Sequence, residues 1–299
     1  MADDEPGSPT RTPIPGLPVV LGYNGRDHSR AALMWAAAEA VRRGAVLRVV
    51  YAANYPGMTL DPGPGLLERE HGALDAAREV TIRGVSEALE LQPDISVAGA
   101  TAVTSPSKAL TDESSQAGLV VIGTRGYGRV VGALLGSVAF AVAARAECPV
   151  IVVKGEPTDR PPVPEHRIVV GTDGSTHASA AVAFAAERAA RASADLQIVV
   201  CTGEHPDFDA DELRSTAESI AHTAAEQQRG TRPDLRVTTH VEDCPAERTL
   251  VDASTEADLV VVGTRGRGAF RGMLLGSVSH AVIYGAQCPV AVVGDDHEW

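Results

Sequence analysis

Two long segments of this 299-residue chain can be laid on each other, and that repeat limits the fold more than any other feature. Gly123-Thr-Arg-Gly126 through Leu-Leu-Gly136-Ser137-Val138 recurs 140 residues later as Gly263-Thr-Arg-Gly266 through Leu-Leu-Gly276-Ser277-Val278. Downstream, Cys148-Pro149-Val150 recurs as Cys288-Pro289-Val290, and upstream Val20-Leu21-Gly22-Tyr23-Asn24-Gly25 answers Val169-Val170-Gly171-Thr172-Asp173-Gly174. Both ends of the unit are duplicated, so the chain reads as two copies of one domain, each long enough to bury its own core. Between them runs Gly155-Glu-Pro-Thr-Asp-Arg-Pro-Pro-Val-Pro164, whose prolines fit neither a helix interior nor a central strand. The expected layout is a Pro-rich, charged, disordered tail at 1–15, a first domain at 16–154, a stiff linker at 155–166 and a second domain at 167–294.

Within the second copy, short apolar runs alternate with helical stretches. Ile168–Gly171, Leu196–Cys201, Arg236–Val241, Leu259–Gly263 and Val290–Val293 read as strands. Ala178–Ala192, Glu212–Arg229, Ala246–Thr255 and Ser277–Gly285 read as the intervening helices. Strands alternating with helices imply parallel βαβ units. The expected fold is therefore α/β: two tandem doubly wound, Rossmann-like parallel sheets of five strands each. With strand order 3-2-1-4-5, the segments following strands one and four meet beyond the carboxyl ends of the strands, where such sheets bind ligands. The apolar last strands, Val150–Val153 and Val290–Val293, would be bare edges in isolated domains and are expected to pair with one another inside the chain, leaving other surfaces for a homodimer.

Aromatic residues make up only 4% of a chain that is 44% hydrophobic, which suits parallel strands covered by Ala-rich helices. The formal charge of −13 argues against binding to nucleic acid or to an anionic membrane. Cys148, Cys201, Cys244 and Cys288 form no C-x-x-C pair, which fits a reducing compartment. No apolar stretch approaches the length of a membrane span, and the first residues lack the basic end and apolar run of a signal peptide. A soluble, cytoplasmic protein is expected.

The loop after strand four reads Gly-x-x-Gly, nine residues, then Gly-Ser, in both copies. Gly123 and Gly263 end a buried strand, Gly126 and Gly266 permit conformations closed to other residues, and Gly136 and Gly276 precede a helix. A helix N-terminus offers unpaired N–H groups and the positive end of a dipole, and Ser137 and Ser277 add a hydroxyl there. The alternative is that the glycines only turn the chain and the serines only cap a helix. Local charge favours an anion: Gly123 to Ser137 carries Arg125 and Arg129 and no acid, and Gly263 to Ser277 carries Arg265, Arg267 and Arg271 and no acid. No Gly-Lys-Ser or Gly-Lys-Thr occurs, which excludes a P-loop, and neither a G-x-S-x-G elbow nor an H-E-x-x-H site is present. After strand one, Asp173-Gly174-Ser175 could set a carboxylate against a ribose or against Mg²⁺, or could simply close an Asx turn. The first copy has Asn24 there, followed by Gly25 and Arg26.

These residues resemble the nucleotide-binding branch of the universal stress proteins, whose ATP signature is Gly-x-x-Gly, nine residues, Gly-Ser. Val170-Gly-Thr-Asp-Gly-Ser175, Leu259-Val-Val-Val-Gly-Thr-Arg-Gly266 and the closing Cys-Pro-Val are similar to other marks of that family. The resemblance implies an adenine nucleotide alpha hydrolase-like sheet, ATP or a related adenine nucleotide in each domain, and pairing of the domains through their final strands; Mg²⁺ is expected at Asp173 of the second domain, since Asn24 brings no negative charge for a metal. Carried over by residue, Gly126, Gly136, Ser137 and Gly266, Gly276, Ser277 would contact phosphates, with Arg125 and Arg265 nearby. Gly123 and Gly263 would lie near the ribose, Asn24 and Asp173 at the first-strand position, Asp173 beside the metal, and backbone groups near Ala52 and Thr202 against adenine. Two kinds of function follow: a nucleotide-responsive module that presents different surfaces to a protein partner, or an enzyme that hydrolyses or transfers phosphate slowly. No base capable of activating water stands out near the loops, which favours the first.

Overall fold

The computed structural model describes residues 16–53, 66–124, 136–154, 165–203, 209–266 and 274–294. The tail 1–15, the proline segment 155–164, and Arg125 and Gly126 lie outside the described residues. The first domain runs β1 (Gly16–Gly22), α1 (Asp27–Arg43), β2 (Ala45–Ala52), α2 (Leu66–Leu91), β3 (Val97–Ala102), α3 (Pro106–Ser114), β4 (Leu119–Gly123), α4 (Ser137–Ala143) and β5 (Val150–Val153). The second repeats it as β6 (Arg167–Gly171), α5 (Thr176–Ala192), β7 (Asp195–Cys201), α6 (Ala210–Thr231), β8 (Val237–Glu242), α7 (Ala246–Ala253), β9 (Leu259–Gly263), α8 (Ser277–Gly285) and β10 (Val290–Val293).

Each domain has the order 3-2-1-4-5 with parallel neighbours, and the two sheets merge into one of ten strands, β3-β2-β1-β4-β5-β10-β9-β6-β7-β8. The join is antiparallel: Val290 faces Val152, Ala291 faces Ile151 and Val292 faces Val150. Every residue of β5 and β10 is buried, as an apolar strand with helices on both faces must be. Alternation then sorts the strands into two cores. Val19, Leu21, Val121, Ile151, Val170, Val261, Ala291 and Val293 pack under the Ala-rich faces of α1 and α5. Val20, Val120, Val150, Val152, Val260, Val290 and Val292 pack against α3, α4, α7 and α8. Both cores therefore run unbroken across the domain boundary.

α5 and α6 start earlier than the sequence-based bounds because local capping captures extra residues, whereas α7 stops two residues short, at Ala253. Ser175 accepts from the Ala178 N–H at 3.3 Å, so α5 starts at Thr176, and Asp209 accepts from the Asp211 and Glu212 N–H groups, so α6 starts at Ala210. α1 and α5 both end on a left-handed residue, Gly44 at φ 60° and Ser193 at φ 54°.

A buried ionic cluster crosses the boundary between α1 and α5. The Arg188 guanidinium donates to Glu39 at 3.0 Å and to Glu165 at 2.5 and 3.0 Å, and it stacks over the Trp35 ring at 4.7 Å. Arg188 and Glu39 are 5% and 3% exposed. Arg42 and Arg43 also pair with Glu39, and Arg42 lies 3.7 Å from Glu165. Burial works against the charged form of Arg188, and Glu165 works for it. Removing one member of such a cluster strands the others in a low-dielectric setting. Arg188→Met should therefore lower stability in chemical denaturation by about 3–5 kcal/mol, far more than an exposed ion pair is worth; a loss below about 1 kcal/mol would show the cluster to be solvated.

Candidate functional site

The second domain builds its site at the carboxyl ends of β6, β7 and β9, where the direction of winding changes between β6 and β9. The turn after β6 is fixed by side chains bonding to backbone. Thr172 Oγ1 accepts from the Gly174 N–H at 3.2 Å, Asp173 Oδ1 accepts from the Ser175 N–H at 2.9 Å, and Gly174 takes φ 75°. The Asx turn at Asp173 is thus present, yet it engages only one carboxylate oxygen. The other lies against Gly266: a Cβ placed on that glycine would sit 2.5 Å from Asp173 Oδ2. In the first domain Asn24 Oδ1 accepts from the Arg26 N–H at 3.1 Å and Gly25 takes φ 71°. The backbone device is the same there, without a side-chain cap on α1.

The glycine loop closes on itself at its neck. The Thr264 N–H donates to the Val293 carbonyl at 2.9 Å, the Gly276 N–H to the Thr264 carbonyl at 2.8 Å, and Ser279 Oγ to the Gly263 carbonyl at 2.6 Å. Thr124 and Gly136 repeat the first two bonds at 3.1 and 3.2 Å. Gly276 then caps α8 with an extended backbone, φ −71° and ψ 159°, and no side-chain cap. The N–H groups of Ser277, Val278 and Ser279 consequently have no intrahelical acceptor.

These pieces enclose a cavity of about 430 Å³. Its lining joins Asp173, Arg265, Gly266, Gly276 and Ser277 to the apolar Val199, Cys201, Ala246, Leu250 and Val262. That volume and that mix suit a small organic ligand with an anionic group at one end. Gly263 and Ser279 also line it. Of the residues singled out from the sequence in this domain, Asp173, Gly263, Arg265, Gly266, Gly276 and Ser277 meet around this one cavity, whereas Thr202 does not. Its hydroxyl turns to Asp243 at 3.2 Å, and the wall position belongs to Cys201. The strand registers give the reason: Gly22 pairs with Val50 and Gly171 with Val199, so the counterpart of Ala52 is Cys201, one residue earlier than Thr202. Burial raises the Cys201 thiol above its ordinary pKa, so it lines the wall as a neutral group. In the first domain Ala52 ends β2, Gly123 ends β4, and Gly136 and Ser137 start α4. Arg125 and Gly126, the remaining two, are not among the described residues.

Among the described residues no group of three or more His, Cys, Asp or Glu side chains could hold a metal. Among the described residues that line the cavity, Asp173 is the one carboxylate a cation could draw on.

The family model described as "Universal stress protein family" matches residues 17–154 and 165–294. The universal stress protein Rv2005c of Mycobacterium tuberculosis (strain ATCC 25618 / H37Rv) is 36% identical over 286 residues, covering 92% of this chain and 96% of the relative. Rv2623 of the same strain is 34% identical over 289 residues, with the same coverage of 92% and 96%. Among solved structures, a universal stress protein from Archaeoglobus fulgidus DSM 4304 superposes with a TM-score of 0.69 at 22% identity, over 94% of this chain and 97% of that one. That likeness concerns the fold.

The glycines of the loop separate by what a methyl group would meet. At Gly263 a Cβ would lie 3.0 Å from the His177 carbonyl and 3.2 Å from that of Arg265, both backbone atoms. At Gly276 the nearest atom is 3.5 Å away, an ordinary contact. Gly263→Ala should cost about 1–3 kcal/mol in thermal or urea unfolding, and Gly276→Ala should stay within about 0.5 kcal/mol. The reverse ranking would mean that the fold, rather than a ligand, requires glycine at 276.

Proposed function

Since this chain belongs to the universal stress protein family, and carries two of its domains, we propose that it is a nucleotide-responsive regulatory module that binds ATP or a related adenine nucleotide in the cavity between β6, β7 and β9. The observation that carries this reading is the cavity's mixed lining: Arg265 and the uncapped start of α8 offer donors to an anion, and Val199, Cys201 and Leu250 offer an apolar wall. Phosphates belong beside the first group, where backbone donors and the helix dipole meet them, and the flat base against the second. Gly276 supports the assignment because neither its dihedral angles nor its neighbours call for glycine, while a side chain there would fill the space phosphates need. The loop sequence adds Arg267 and Arg271 and no acid, a basic island in a chain of charge −13. Asp173 contributes one carboxylate to Mg²⁺ beside the phosphates, or accepts from the ribose. The repeated loop from Gly123 to Ser137 gives the first domain the same capacity, with Asn24 supplying an amide in place of the carboxylate. Occupancy changes the surface offered to a protein partner, which is how a binding module of this kind regulates.

Titration calorimetry with ATP should show saturable binding that falls at least about tenfold when Gly136→Val and Gly276→Val are combined in a folded chain. Unchanged affinity would sink the assignment. Asp173→Asn isolates the carboxylate charge, because an amide keeps the Asx turn as Asn24 does. The gain in affinity on adding Mg²⁺ should shrink in this variant; an equal gain would mean that phosphate and water hold the cation alone. Chromatography of nucleotide released from the complex should return intact ATP after minutes, whereas conversion within seconds would make the protein a hydrolase.

A further inference from the structure

Lys154 follows β5 directly and belongs to the first domain, yet its ammonium is spent on the second. Its Nζ donates to the main-chain carbonyls of Tyr284 at 2.6 Å and Ala286 at 2.7 Å, at the C-terminal end of α8. The other end of that helix forms the phosphate side of the cavity. No equivalent contact can serve α4, because the counterpart of Lys154 after β10 is Gly294, which has no side chain. The helices differ accordingly: α4 stops at Ala143, whereas α8 runs to Gly285, two residues further in the repeat. A cation bonded to the last carbonyls stabilises a helix end that would otherwise fray.

We propose that Lys154 is a positioning residue for the phosphate side of the C-terminal cavity, holding α8 in place and setting a positive charge at the helix's far end from the anion. The inference rests on the nucleotide reading above. Nine residues at 1.5 Å rise make α8 about 14 Å long, and a hydrogen-bonded group beyond each end puts the ammonium roughly 20 Å from a phosphate at the helix start. Coulomb's law at effective dielectrics between about 80 and about 20 makes that charge worth a factor of about 1.4 to 4 in affinity. The effect reaches the second site alone, so the first domain tunes its neighbour without touching the ligand.

The ammonium is also poised to be lost. Burial lowers its pKa to about 8. Across the strand pair it faces Cys288, whose own burial pushes the thiol up to about 12 and keeps it neutral. From α8 the titratable neighbours are Tyr284, met through its carbonyl, and His280 one turn earlier, which stacks edge-on against Phe140 at 5.5 Å. A profile from about pH 7 to about 9.5 brackets the lysine's value. The contribution of Lys154 is then full below about pH 8 and fades above it, and by reciprocity bound nucleotide raises the lysine's pKa.

The test uses the full chain with Gly136→Val closing the first site, alone and combined with Lys154→Met or Lys154→Arg, titrated with ATP across that range. The parent should bind about 1.4- to 4-fold more tightly than the Met variant at pH 7 and converge on it above about pH 9. The Arg variant should keep the tighter affinity throughout, because guanidinium does not titrate there. A structural role alone would move affinity without this pH signature. Equal affinities, or parallel profiles in all three chains, overturn the proposal. If the parent binds no ATP at any pH, the nucleotide reading and this one both fall; hydrogen exchange of the α8 amides in parent and Met chains then reports whether Lys154 anchors the helix at all.

Discussion

The antiparallel seam between β5 and β10 is the contact on which the architecture rests. Four residues on each side, all buried, turn two sheets that would each end in an apolar edge into one sheet without an internal edge. Because the seam is continuous, the helices on both faces pack across it, and each domain completes the other's core. The glycine loops inherit this: Thr124 and Thr264 hang their N–H groups on the carbonyls of Val153 and Val293, the ends of the seam strands. The site's anchor points and the domain interface are thus the same short stretch of backbone.

The glycine-loop side of the second domain's cavity draws on backbone. It uses main-chain N–H groups of α8, a turn whose side chains bond to their own backbone, and glycines that keep side chains out. Such a site depends on where helices and strands lie, so its properties answer to packing at a distance. That is why a residue outside the cavity can tune it.

The strands were legible because a parallel sheet covered on both faces demands uninterrupted runs of Val, Ile and Leu, and Leu259–Gly263 and Val290–Val293 have no other use for them. Helix starts moved by up to two residues where Ser175 and Asp209 cap, a local choice that apolar periodicity does not report. Thr202 stands one residue past the counterpart of Ala52, because the repeat keeps an offset of 149 through its first two strands and so places Cys201 there, whereas from Gly123 to Gly263 the offset is 140. Register through the paired strands fixes what spacing leaves loose. Nothing in the sequence marked Glu39, Glu165 and Arg188 as neighbours, since each reads as a solvated charge until the two domains are brought face to face. Lys154 was hidden for a similar reason, standing at the lip of the linker.

Glu39 and Arg188 occupy the same place in the two repeats, 149 residues apart, and they meet across the pseudo-twofold axis. Two first domains joined by this face would oppose Glu39 to Glu39, and two second domains Arg188 to Arg188. Like charges about 4 Å apart repel by about 4 kcal/mol even at an effective dielectric of 20, although Arg42 and Arg43 stay beside Glu39, and Glu165 beside Arg188, in either pairing. The direct contact between the two positions thus favours the unlike repeat, a condition that the two halves of this chain meet by themselves.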